Sequence, residues 1–226
     1  VYTMASRALG TLAAAGLAAT ALWVLSKRLR EQLRGGSLPV VPPRLVVLFS
    51  GKRKSGKDYV TDRLLAALGP ERAAIGRLSG PLKGAYATEH GLDFAQLLSD
   101  GPYKEKYRAD MIVWGERRRA ADPGFFARLV IAESTTPVLI ISDARRLTDM
   151  AFFTALYPCL TVRVACSDET RTKRAWKHTK GVDDVESECG LDGYTHNLLL
   201  DNEGDAGVLE LALKKLEAAI RERGAC

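Results

Sequence analysis

Two kinds of apolar pattern alternate along this chain. Leu45–Phe49 (LVVLF) and Pro137–Ser142 (PVLIIS) are short, continuously apolar and bounded by turn residues. Strands buried on both faces of a parallel sheet read this way. Leu160–Ala165 alternates through Thr161, Val162, Arg163 and Val164 and reads as a further strand, and Leu198–Leu200 is a last short one. Between them the period becomes helical. Val60, Leu64, Leu65 and Leu68 give a helix over Tyr59–Leu68. Tyr103, Tyr107, Met111 and Trp114 form one stripe, expected to face the core. Ser167-Asp168-Glu169 opens a helix with a capping hydroxyl and acids in the first turn, and Arg171, Arg174 and His178 are expected on one face of it. Val208–Ile220 is amphipathic and ends before Gly224. Strands alternating with helices predict a three-layer α/β fold, a parallel sheet flanked by helices.

The first 43 residues stand outside this pattern. Ala8–Ser26 is a 19-residue run without charge. About 20 apolar residues cross a bilayer, so the run is barely long enough to be an anchor. Lys27, Arg28 and Arg30 follow it, which would leave the body on the cytosolic side. An acid-free start containing arginine also suits a mitochondrial presequence. A secretory signal is a third reading, although the cysteines of the body do not suit an oxidising lumen. The fourth is an upstream extension, since the chain opens with Val1 rather than Met. Gly35, Gly36, Pro39, Pro42 and Pro43 then form a breaker-rich linker. The expected division is an extension over 1–43 and one domain over 44–226.

Composition narrows the class. The 226 residues are 46% hydrophobic and 27% charged, too apolar for disorder, and 20 Gly with 9 Pro exclude a collagenous chain. Cys159, Cys166, Cys189 and Cys226 show no C-x-x-C spacing, and the histidines lie far apart. That speaks against a zinc framework or a disulfide scaffold and for a reducing compartment. The net charge is +6, but residues 1–43 hold five basic residues against one acid and account for +4 of it. The body is left with +2, which disfavours nucleic-acid binding.

The chemistry lies where the cations cluster. After the first strand comes Gly51-Lys52-Arg53-Lys54-Ser55-Gly56-Lys57-Asp58, the spacing G-x-x-x-x-G-K between a strand and a helix. Gly51 and Gly56 allow a tight turn, successive N–H groups and the helix start hold phosphate oxygens, and Lys57 reaches the β- and γ-phosphates. Asp58 stands where Ser or Thr is usual. Its carboxylate is a hard oxygen ligand for Mg²⁺, compensated by the three preceding cations, or else only a helix cap. Asp143 follows the second apolar strand and resembles the metal-holding acid of P-loop enzymes. Arg145 and Arg146 come next, two planar forks suited to phosphate or carboxylate. Arg108 and Arg119 are eleven residues apart, three turns, and share a face that could line one groove; Lys83 is a further cation near the Gly80-Pro81 turn. The basic helix after Ser167 reads as a lid. The acidic segment Gly181–Tyr194, with Asp183, Asp184, Glu186, Glu188 and Asp192, is expected to pair with it on closure. No Ser–His constellation is apparent.

FSGKRKSGKD (Phe49–Asp58), LSGPLK (Leu78–Lys83), EHGLDF (Glu89–Phe94), ADPGFF (Ala121–Phe126), SDARR (Ser142–Arg146) and GVDDVESECGLD (Gly181–Asp192) together resemble animal-type phosphomevalonate kinase, from about Arg44 to the C-terminal helix. The resemblance implies the fold of nucleoside monophosphate kinases with a mobile lid. It also implies transfer of the ATP γ-phosphate, with Mg²⁺, to 5-phosphomevalonate, giving 5-diphosphomevalonate and ADP on the route to isoprenoids and sterols. It assigns Gly51–Asp58, Arg174 and Glu203 to ATP, with Lys57, Asp58 and Arg145 catalytic. Lys83, Arg108, Arg119, Arg145, Arg146 and Asn202 fall to the acceptor, while the metal stays with Asp58 and Asp143 on the reading of the residues above. Some relatives end in a peroxisomal tripeptide. Gly224-Ala225-Cys226 is not one, so peroxisomal import is not expected. A cytoplasmic monomer is expected, membrane-tethered only if 8–26 is an anchor. The alternatives are a kinase of nucleoside monophosphates or another small molecule, and a nucleotide-binding module without turnover.

Overall fold

The structure, a computed structural model, describes residues 42–99 and 101–223. The apolar run 8–26, almost all of the 1–43 extension and the C-terminal tripeptide lie outside the described residues. Five strands form one sheet: β1 (Leu45–Ser50), β2 (Ala73–Gly76), β3 (Val138–Ile141), β4 (Cys159–Ala165) and β5 (Leu198–Asp201). Every pairing is parallel and the order is β2-β3-β1-β4-β5, so the expected parallel sheet is observed. The central strand β1 is buried along its whole length, which its unbroken apolar run required. Each fully buried Val, Leu or Phe there contributes roughly 1.5–3 kcal/mol, making β1 a rigid base for the loop that follows it.

Helices flank the sheet: α1 (Lys57–Leu68), α2 (Ser79–His90), α3 (Phe94–Leu98), α4 (Pro102–Ala121), α5 (Phe125–Ala132), α6 (Leu147–Leu156), α7 (Asp168–Lys173), α8 (Glu186–Cys189) and α9 (Ala206–Glu222). Helices α1 and α9 bury Val60, Leu64, Leu209, Leu213, Leu216 and Ile220 in the same cluster as β1 and β4. A second cluster joins Tyr86, Leu97, Met111, Trp114 and Phe126, with Tyr103 and Tyr107 packed against it. The aromatic stripe thus fulfils its predicted core role, and it fixes the α4 face that carries Arg108 and Arg119. Among the described residues no helix is long and apolar enough to cross a membrane.

Two local expectations are corrected. Lys83 does not follow a turn but lies within α2, because Pro81 occupies the first helical turn, where a missing N–H costs nothing. The basic helix is shorter than its pattern suggests. It ends at Lys173, and Ala175 turns left-handed (φ 60°), so His178 lies beyond it and shares no face with Arg171 and Arg174.

Candidate active site

The carboxyl ends of adjacent strands β1 and β3 present two turns to one edge of the sheet. The backbone joins them directly, as Ala144 N–H donates to Phe49 O at 3.1 Å. Gly51 (φ 151°) and Gly56 (φ 91°) adopt conformations that side chains avoid. A Cβ at Gly51 would run into Val164 O, and one at Gly56 into Asn202 Nδ2. Helix α1 starts at Lys57 with no side-chain cap, so its first N–H groups stay available to an anion. Lys57 Nζ folds back onto Gly51 O, and onto Lys52 O at 3.1 Å. Burial, then the Arg145 charge, lowers its pKa to about 8, against the opposing pull of Glu188, Asp58 and Asp143.

After β3, the Asp143 carboxylate accepts Leu78 N–H (2.7 Å) and Ser79 N–H (3.0 Å), which anchors the start of α2. Each of its oxygens accepts one backbone amide there, and the side chain also lines the cavity described next. Buried Asp149 accepts the amides of Arg145 (3.0 Å) and Arg146 (3.1 Å) and so sets the turn that aims both arginines. Arg145 pairs with Glu188 and Arg146 with Glu116. These two side chains, with Lys83, Arg108 and Arg119, line one cavity of about 250 Å³. Arg53 reaches it from the phosphate loop and Lys104 from α4, so seven cations surround it. Leu82, Met111, Ile112, Val182 and Val185 supply its apolar wall. Arg119 lies over the Phe126 ring at 4.6 Å. Its pKa is lowered by burial and by Arg146. Arg53 Nε, Arg119 Nη1 and Arg146 Nε are buried without a hydrogen-bond partner. Buried donors are costly to leave unmade, and three beside one cavity point to an anionic ligand.

On the opposite flank of the loop, a second cavity of about 320 Å³ is lined by Gly56, Tyr59, Arg174, Asn202, Gly204 and Asp205 among others. Arg174 donates to Ser55 O (3.1 Å) and Asn202 O (2.7 Å), and Asn202 Nδ2 to Ser55 O (2.8 Å). Asn202, assigned to the acceptor by resemblance, therefore sits with Arg174 and away from the cationic cavity. Glu203 accepts bonds from Ser167 and Thr170 and so holds the start of α7. Arg171 is buried. It donates to Arg53 O at 3.0 Å and lies 3.7 Å from the Trp176 ring, so it props the loop and is not free to close over a nucleotide.

Other expectations shift as well. Asp58 is not neutralised by Lys52, Arg53 and Lys54. Lys52 pairs with Asp192 and Arg53 with Asp183, while Asp58 faces Arg77 at 3.3 Å. The acidic segment pairs mainly with the phosphate loop and Arg145, and only Asp183 approaches the basic helix, at 3.9 Å from Arg171. A Ser–His pair does exist, Ser50 Oγ to His196 Nε2 at 2.7 Å, but Ser50 is fully buried beneath the loop and offers no nucleophile.

A glycine loop at the centre of a parallel sheet, opening on one side to a cationic cavity and on the other to a second cleft, defines a P-loop kinase of an anionic small molecule. The phosphomevalonate kinase family model matches residues 49–159. Phosphomevalonate kinase of Drosophila melanogaster is 43% identical over 187 residues, covering 78% of this chain and 98% of that one. The chain belongs to the phosphomevalonate kinase family. Among solved structures, a protein of Thermus thermophilus is 19% identical with a TM-score of 0.48, over 80% of this chain and 99% of that one. Shikimate kinase of Bacteroides thetaiotaomicron is 11% identical with a TM-score of 0.45, over 78% and 98%.

Proposed function

We infer that this enzyme transfers the γ-phosphate of ATP to 5-phosphomevalonate, yielding 5-diphosphomevalonate and ADP. Family membership carries the activity. The observation that supports the site is the cluster of unpartnered arginine donors beside the phosphate loop. The acceptor brings a phosphate and a carboxylate, and ATP brings further negative charge. Lys83, Arg108, Arg119, Arg145 and Arg146 offset the acceptor's charge, while the loop amides, the start of α1 and Lys57 hold the nucleotide. Arg174 and Asn202 border the nucleotide side. An acceptor phosphate oxygen attacks the γ-phosphorus in line, and the bond to the β–γ bridging oxygen breaks as ADP leaves. The acceptor oxygen is already ionised, so no general base is required.

Mg²⁺ fits the donor set. Among the described residues no three acids, histidines or cysteines gather as a cage. Mg²⁺ needs only one or two carboxylates beside substrate phosphates, and Asp58 presents an exposed carboxylate at the loop. Asp58 would hold it there, and the chemistry supplied would be neutralisation of phosphate charge. Residues 44–226 are read as the catalytic domain of a cytoplasmic monomer, with 1–43 an appendage. The three described cysteines are all free, which suits reducing conditions.

Coupled ADP release by the full chain tests the reading, with phosphomevalonate compared against nucleoside monophosphates. Turnover with phosphomevalonate supports it, and turnover with the nucleotides alone refutes it.

A further inference from the structure

In sequence, Glu188 is one acid among several in Gly181–Tyr194. Its placement sets it apart. The side chain is only 5% exposed, and its two oxygens are divided between two parts of the site. One accepts the amide of Arg53, inside the phosphate loop, at 2.9 Å. The other accepts Arg145 Nη1 at 2.5 Å. Its neighbours in the segment keep it there. Asp183 pairs with the Arg53 side chain at 3.0 Å and accepts Trp176 Nε1 and Thr179 N–H. Asp192 pairs with Lys52 at 3.0 Å and Arg163 at 2.5 Å. Gly190 lets α8 press against the Arg145 backbone: a Cβ there would lie 3.4 Å from Arg145 O and 2.6 Å from Glu186 O.

A buried carboxylate between two phosphate-binding groups opposes the polyanions the site must take. It also gives the cleft something the cations cannot. Arg145 is about one-third exposed on a flexible stem, and one charge-assisted bond, from Nη1 to Glu188, ties its guanidinium to the residue that also holds the phosphate loop. Resting on the phosphomevalonate kinase reading, we propose that Glu188 is a positioning residue for phosphoryl transfer, acting through Arg145 by holding its guanidinium against the phosphate loop where donor and acceptor meet.

The test uses full-length wild type, Glu188→Gln, Glu188→Asp, Arg145→Gln and the Glu188→Gln/Arg145→Gln double variant. It reads kcat and KM for each substrate at one pH, and thermal melting. Gln keeps an acceptor for the Arg53 amide but loses the charge. The expected result is a kcat lowered roughly 10- to 100-fold, the range for losing an outer partner of a functional group, with KM for ATP changed less than about threefold. The double variant should lose no more than Arg145→Gln alone. Wild-type kcat in Glu188→Gln overturns the proposal, as do losses that multiply in the double variant. A lower melting temperature with unchanged kinetics assigns Glu188 to structure alone and also overturns it. If Glu188→Gln does not fold, Glu188→Asp decides, because its shorter carboxylate cannot span both partners and wild-type kcat there refutes the role. Failure of the wild type to use phosphomevalonate would defeat the parent reading and this one together, so the two failures are distinguishable.

Discussion

Lys57 links the nucleotide to pH in a way that can be measured directly. Without ligand its pKa is lowered to about 8, first by desolvation and then by Arg145. In the unfolded chain it would titrate near 10.4. Charged Lys57 therefore destabilises the unliganded fold, by at most about 3 kcal/mol. That cost is fully present below pH 8 and disappears as pH rises through 8 toward 10.4. Triphosphate beside Nζ reverses the balance, because only the protonated amine pairs with it. At pH 8 about half the unliganded molecules have neutral Lys57, so ATP binding should take up about 0.5 proton, rising to about 0.9 at pH 9. Apparent ATP affinity should fall about tenfold between pH 7 and pH 9, since only the charged fraction is competent. Calorimetry in buffers of different ionisation enthalpy reads the uptake. The Lys57→Met variant should bind ATP weakly and take up no proton in this window. Uptake that is absent from the wild type, or equal in the two proteins, refutes the argument.

Other substitutions separate the parts of the site. Gly51→Ala places a Cβ against Val164 O and should abolish ATP binding, measured by nucleotide fluorescence, with a stability cost of about 1–3 kcal/mol. Arg171→Ala removes a buried guanidinium and should cost about 3–5 kcal/mol, read as a melting point lower by roughly 6–20 °C; an unchanged melting point would deny its role as a prop. Asp58→Asn should raise the Mg²⁺ concentration needed for half-maximal turnover roughly 10-fold or more while leaving acceptor KM unchanged; an unaltered Mg²⁺ requirement removes Asp58 from the metal.

The sequence made the sheet edge legible because its signals are local. The runs at Leu45–Phe49 and Pro137–Ser142 become β1 and β3, and each ends in the turn whose spacing exposed its chemistry. Strand β2 (Ala73–Gly76) gave no such signal, being four residues of which only Ile75 is bulky; its pairing with β3 makes it a strand. Helices α5 and α6 are short and apolar nearly all round, so periodicity could not find them. The loop cations and the Arg145–Arg146 pair were legible as residue types at strand ends. Their partners were not. Glu188 and Asn202 act across separations that only the fold closes, and Asn202 Nδ2 meets Ser55 O across a sequence separation of 147, whereas Asp149 is a local partner, accepting the amides of Arg145 and Arg146 at the start of α6. The length of the basic helix was overread because its charge pattern continues past Arg174, where the left-handed Ala175 breaks it.

The account depends most on Arg119 and Arg146 meeting the acceptor. Titration calorimetry of phosphomevalonate and of ATP into wild type, Arg119→Gln and Arg146→Gln tests this most directly. Hydrogen bonds to charged groups are worth about 1.5–3 kcal/mol, so each variant should lose roughly 10- to 100-fold in acceptor affinity while ATP affinity stays within about threefold. Undiminished acceptor affinity in both variants would contradict the assignment of the cavity.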